Sequence, residues 1–172
     1  MKIFFSFHHL EIVLHLDRNL YFPIFVILGG EVFGYAAWDF LSSPKNLKKI
    51  TPKEMNFNII DCDYKKIYPG QIIIYTVNPI LNIPLKWVTE ITHVVDKEYF
   101  VDEQRFGPYA LWHHKHFIRE IEGGVEMEDV IHYKIPLGPL GVLANYLFVQ
   151  KKLGSIFVYR RKKLIELFGD LK

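Results

Sequence analysis

The chain has 172 residues, half of them apolar and 23% charged, which excludes a disordered or fibrous protein. It fits one domain, residues 1–172, able to bury roughly 70% of the surface its unfolded chain exposes. Lys and Arg total 21 against 19 Asp and Glu, so the net charge of +2 supplies no global field for nucleic acid, and no nucleic-acid partner is expected. The single cysteine, Cys62, cannot pair within the chain, and a cytoplasmic address is the expectation that follows.

Aromatic residues make up 16% of the chain, with 14 Phe, 10 Tyr and 3 Trp. Such residues suit pleated surfaces and leave room for large interiors, so they predict a sheet-rich fold with a roomy core. Along the chain, residues 1–30 form an atypical N-terminal segment that contains the first strand, predicted at Glu11–Tyr21 from partial alternation. The apolar run Leu20–Gly30 is about half the ~20 residues a spanning helix needs and is interrupted by Pro23, so it reads as a buried strand end and connection. A short helix is predicted within Glu31–Leu41, and a second begins at Ser43-Pro44, an N-cap followed by a first-turn proline.

From Asn56 to Pro136, strand-length blocks alternate with turn chemistry at Tyr68-Pro69-Gly70, Asn78-Pro79, Asp96-Lys97, Gly107-Pro108 and Gly123-Gly124. Six strands joined this way predict an antiparallel meander, and long twisted strands in a row curl. Pro139–Phe168 then places Val142, Tyr146, Val149, Leu153, Ile156 or Phe157, Leu164 and Leu167 at helical spacing, which predicts one long amphipathic helix to fill the curl. The expected class is α+β, with an interior space between sheet and helix.

Four segments carry a family likeness: WDFLSSPKNLKKITP (Trp38–Pro52), PLKWVTEIT (Pro84–Thr92), YFVDEQRFGPYALWHHKHF (Tyr99–Phe117) and YKIPLGPLG (Tyr133–Gly141). They resemble the SRPBCC, or START-like, helix-grip superfamily, most closely the small bacterial stand-alone domains related to polyketide cyclases and coenzyme-Q-binding START proteins. The resemblance spans about Glu31–Phe168. It implies a curved antiparallel sheet of about seven strands around a long C-terminal helix, with two short helices after the first strand. It also implies a hydrophobic cavity of the kind that holds lipids, sterols, quinones or polyketides.

Strand alternation nominates the residues that meet a ligand. Trp112, His114 and His116 share one face, opposite His113 and Lys115, and Asp102 and Gln104 share a face with Phe100. Trp87 and Thr89 on one strand, with Asp129 and Tyr133 on another, complete the candidate ligand-binding set. Asp102 and Gln104, if inward, need buried partners, and His114 or His116 on the next strand are expected to supply them. His114 and His116 with Asp129 or Asp102 are a donor set that zinc or non-haem iron accepts. A bare His-x-His lacks the full ligand spacing of a metal motif, so no metal and no cofactor is assigned, and interior hydrogen-bonded histidines are the reading.

Arg160-Arg161-Lys162-Lys163 reads as a solvated helix end, with transient contact to a membrane surface as its sharper use. Phosphate-binding glycine loops, dinucleotide fingerprints, serine elbows and zinc cysteine pairs are absent from the sequence. The expected function is therefore binding of a hydrophobic small molecule, with no catalytic residue assigned. The alternative is a cyclase, aromatase or hydratase in which His114 or His116, paired with Asp102 or Asp129, moves protons; Asp129 would serve as base if burial raised its pKa. Oligomeric state is not written in the sequence.

Overall fold

The computed structural model describes residues 2–7, 10–15, 20–29, 34–63, 66–79 and 83–170. A two-stranded ribbon, β1 (Lys2–Phe7) with β2 (Leu10–His15), opens the chain, and β3 (Leu20–Gly29) follows. Next come α1 (Gly34–Leu41), α2 (Pro44–Leu47) and single 3₁₀ turns at Lys48–Ile50 and Lys53–Met55. The meander is β4 (Asn58–Cys62), β5 (Gln71–Val77), β6 (Leu85–Val95), β7 (Tyr99–Phe106), β8 (Leu111–Ile121) and β9 (Gly124–Lys134). The chain closes on α3 (Pro139–Ala144), a π-helical turn at Asn145–Val149 and α4 (Gln150–Phe168).

The curved antiparallel meander has six strands, β4 to β9, and the strand added to it is not the expected Glu11–Tyr21. The strand bonded outside β9 is β3, whose ladder runs from Leu20↔Tyr133 to Gly29↔Gly124. Glu11–Tyr21 is not one strand: β2 ends at His15 and pairs with β1, and residues 16–19 lie outside those described. Pro23, which lowers the strand expectation because it donates no ladder hydrogen bond, is accommodated because β3 occupies the sheet edge.

Local chemistry explains the turns. Gly123 sits at φ 76 in the two-residue link between β8 and β9, a conformation glycine adopts without steric cost. Irregularities in register between Ile59 and Asp61, and at Val88/Thr89 and Ile91/His93, add local bends to the sheet.

The core lies between the concave sheet face and the helices. Leu28, Trp38, Ile73, Ile91, Phe100 and Leu164 form one cluster, and Ile131, Tyr133, Val149, Leu153 and Phe157 form a second beneath α4. The buried stripe of the C-terminal helical segment is Gly141, Asn145, Val149, Leu153, Phe157 and Leu164. Val142 and Tyr146, expected on that face, are 68% and 72% exposed. The cause is the π turn, whose i→i+5 bonding inserts a residue and rotates the preceding turns by roughly 100° relative to α4. Among the described residues, no helix is long and apolar enough to cross a membrane.

Candidate functional site

A cavity of about 190 Å³ lies between α4, the segment around α2, and the inner face of β5 to β8. Tyr75, Trp87, Tyr109 and Trp112 wall it from the sheet side, and Leu153 and Phe157 from the helix. The aromatic wall is tightly coupled. Trp87 stacks on Tyr75 at 5.9 Å, meets Trp112 edge-on at 5.3 Å and lies 5.4 Å from Tyr109.

One end of this apolar space is ionic. On β8, two-residue alternation sends both His114 and His116 inward, where their ring centroids lie 3.8 Å apart. His116 Nε2 is 2.9 Å from Asp102 Oδ1 and its Nδ1 is 2.6 Å from Asp129 Oδ1. His114 Nδ1 is 3.3 Å from Asp102 Oδ1 and its Nε2 is 3.2 Å from Asp129 Oδ1. Trp112 Nε1 donates to Asp102 Oδ2 at 3.2 Å, and Arg160 Nη1 from α4 lies 3.5 Å from Asp129 Oδ2. The register places these groups together, since Asp102 is opposite His114 and Asp129 opposite His116.

Burial opposes ionisation at Asp102, Asp129 and His114, and the partners outweigh it. The carboxyls of Asp102 and Asp129 are held below the usual carboxylate range by the two histidines, with Arg160 contributing at Asp129. The carboxylates of Asp102 and Asp129 hold the pKa of His114 above its ordinary value against that same burial. Asp129 is therefore not the raised-pKa base considered from sequence: neighbouring positive charge reverses the effect of burial.

Of the nine residues nominated from sequence, Trp87, Thr89, Asp102, Trp112, His114 and His116 line the cavity. Asp129 joins the cluster without lining the cavity. Tyr133 does not line it either; its hydroxyl donates to Asn145 Oδ1 at 2.8 Å inside the helix–sheet core. Gln104 departs from the expected pairing with histidine. The β7–β8 ladder ends at Glu103↔His113, and Gln104 instead clamps the following loop through Tyr109, donating to its carbonyl at 2.7 Å and accepting from its N–H at 3.2 Å.

Arg160 is the functional residue that the sequence reading misplaces. It is not part of a solvated run: its side chain is 12% exposed, it lines the cavity, and its guanidinium lies 4.8 Å from the Phe157 ring. Leu153, Phe157, Arg160 and Leu164 follow helical spacing, so the signal was present as a cation within an apolar stripe. Tyr75 and Tyr109 were also missed as wall residues; the Tyr75 hydroxyl shares a hydrogen bond of 3.2 Å with the Thr89 hydroxyl.

Fold and site together define an α+β domain whose meander and C-terminal helix enclose an apolar cavity with one ionic end. No family model and no curated protein matches the chain. Among solved structures it is similar to protein Ms6760 from Mycobacterium smegmatis, at 16% identity and a TM-score of 0.64 over 91% of this chain and 97% of that one. Protein NE0264 from Nitrosomonas europaea matches at 15% identity and a TM-score of 0.61, over 88% of this chain and 97% of that one. Protein CV1439 from Chromobacterium violaceum gives 11% and 0.65, over 87% and 97%. The likeness at such identities is one of fold.

Proposed function

We propose that the chain is a helix-grip protein of the SRPBCC or START-like type that binds a hydrophobic small molecule, such as a quinone, polyketide or lipid, beneath α4. The observation that carries this reading is an aromatic and aliphatic cavity with a single ionic end. Its volume of about 190 Å³ exceeds the roughly 150 Å³ that holds a benzene ring in an apolar interior, so a compact ring-sized body fits within it. Burial of that body supplies about 25 cal/mol per Å² before ordering costs. Two further features favour a polar atom on the ligand. The buried Trp87 Nε1 and Arg160 Nε have no hydrogen-bond partner among the described residues, and both side chains line the cavity.

The test is a fluorescence titration of the full chain with N-phenyl-1-naphthylamine, an apolar probe of two linked ring systems. Saturable uptake at one probe per chain is expected. Ile156→Trp, which enlarges a side chain on the helix wall, is expected to weaken uptake at least about tenfold. Absence of saturable uptake overturns the reading.

A second reading, an enzyme of cyclase, aromatase or hydratase type, is favoured by one observation. His116 and Asp102 are within hydrogen-bond reach of each other on the cavity wall, as proton transfer to a bound substrate requires. In that reading His116 exchanges the proton and Asp102 orients its ring.

A further inference from the structure

We infer that Asp102 Oδ1, His114 Nδ1 and His116 Nε2 form a two-histidine, one-carboxylate site for a divalent first-row transition ion. The three side chains present ligand atoms within 4.8 Å of one another, and they lie on the cavity wall. His116 Nε2 and His114 Nδ1 converge on the same Asp102 oxygen, at 2.9 and 3.3 Å. Two ligands held about 2.0–2.1 Å from one ion are about 2.9 Å apart at a right angle and about 3.3 Å apart at the tetrahedral angle. These separations are therefore those of neighbouring ligands on a common ion.

The surroundings have the supporting contacts that metal sites use. Asp129 Oδ1 meets both rings: His114 Nε2 hydrogen-bonds it at 3.2 Å, and His116 Nδ1 lies 2.6 Å from it. A carboxylate on the far nitrogen fixes the tautomer and ring orientation of a metal-bound imidazole. The second oxygen of Asp102 accepts from Trp112 Nε1 at 3.2 Å, which orients the ligating carboxylate, and Arg160 holds the second oxygen of Asp129 at 3.5 Å.

Charge points the same way: Asp102 and Asp129 bring two carboxylates to the histidine pair, and Arg160 answers only one of them. A metal-bound imidazole is neutral. With Asp102, Asp129 and Arg160 charged, the loaded site carries one net positive charge, and its remaining coordination positions face the cavity. An oxygen anion such as hydroxide, carboxylate or enolate is the ligand chemistry that this arrangement accepts. The site stands on side-chain geometry and does not depend on which apolar molecule the cavity holds.

The experiment is titration of the chelator-stripped full chain with cobalt(II), followed by visible absorption, and then displacement by zinc(II). One equivalent of cobalt is expected to give the ligand-field bands of a four- or five-coordinate nitrogen and oxygen site, and one equivalent of zinc is expected to remove them. His116→Ala and the near-isosteric Asp102→Asn should each weaken binding more than about 100-fold, and Asp129→Asn about 10- to 100-fold. His113→Ala, on the opposite face of β8, should leave binding unchanged. X-ray absorption of the cobalt-loaded wild type should count two imidazoles, which keeps the test independent of whether any variant folds. Absence of a stoichiometric band, a band that survives both His116→Ala and Asp102→Asn, or fewer than two imidazoles overturns the site.

Discussion

Arg160 Nη1 lies 3.5 Å from Asp129 Oδ2, so the C-terminal helix is fastened to the last strand through a contact whose side chains are 12% and 3% exposed. Removing Arg160 withdraws one charged partner from buried Asp129 while His114 and His116 remain beside it, at a cost of about 1–3 kcal/mol. Arg160→Met is therefore expected to lower unfolding free energy by that amount in urea denaturation. Lys162→Met, two residues on at an exposed position, should fall within about 0.5 kcal/mol of wild type. Equal, small effects for both would contradict the burial of Arg160.

Phe157 is 4% exposed and touches both the core beneath α4 and the cavity, whereas its neighbour Val158 is 50% exposed. Phe157→Ala should cost about 3–5 kcal/mol, and Val158→Ala should stay within about 0.5 kcal/mol. Thermal unfolding of the two variants side by side measures the phase of the helix directly.

At Gly141 an added Cβ would lie 2.0 Å from the Pro136 carbonyl oxygen, a backbone atom that cannot swing aside. Gly141→Ala is predicted to destabilise the fold by roughly 1–3 kcal/mol even though alanine is the better helix former. A variant as stable as wild type would show that the entry to α3 is looser than described.

Three tyrosines, Tyr133 buried and Tyr75 and Tyr109 partly buried, set an alkaline limit. Burial pushes Tyr133 up to about 12 and raises Tyr75 and Tyr109 as well, against about 10 in an unfolded chain. Because the folded pKa is the higher one, the neutral rings contribute their full stability below pH 10, and that contribution is lost as pH rises from 10 towards 12. Absorbance titration should show these three of the ten tyrosines ionising late, with the urea midpoint falling from pH 10 upward. A single ionisation of all ten near pH 10, with native circular dichroism intact, would contradict this.

What the sequence made legible was mostly local. The six-strand meander could be read because each turn carries its own chemistry, as at Gly123, and strand alternation brought Asp102, His114, His116 and Asp129 to one face before any contact was visible. Gln104 obeys the same alternation but lies beyond the end of the β7–β8 ladder, which a period of two cannot reveal. Arg160 was obscured by composition: beside Arg161, Lys162 and Lys163 it looks like one more solvated cation, although its spacing from Phe157 and Leu164 is that of the buried stripe. The exposure of Val142 and Tyr146 follows from a π turn with no sequence marker, and the edge position that accommodates Pro23 in β3 is a property of the whole sheet.

The most direct test of the proposed binding role is native mass spectrometry of the freshly purified full chain, repeated after incubation with N-phenyl-1-naphthylamine. One apolar molecule per chain is predicted, as a co-purified ligand or as bound probe, released on denaturation and reduced in occupancy in Ile156→Trp. A wild-type protein that keeps its bare chain mass in both measurements would contradict a cavity built to hold an apolar ligand.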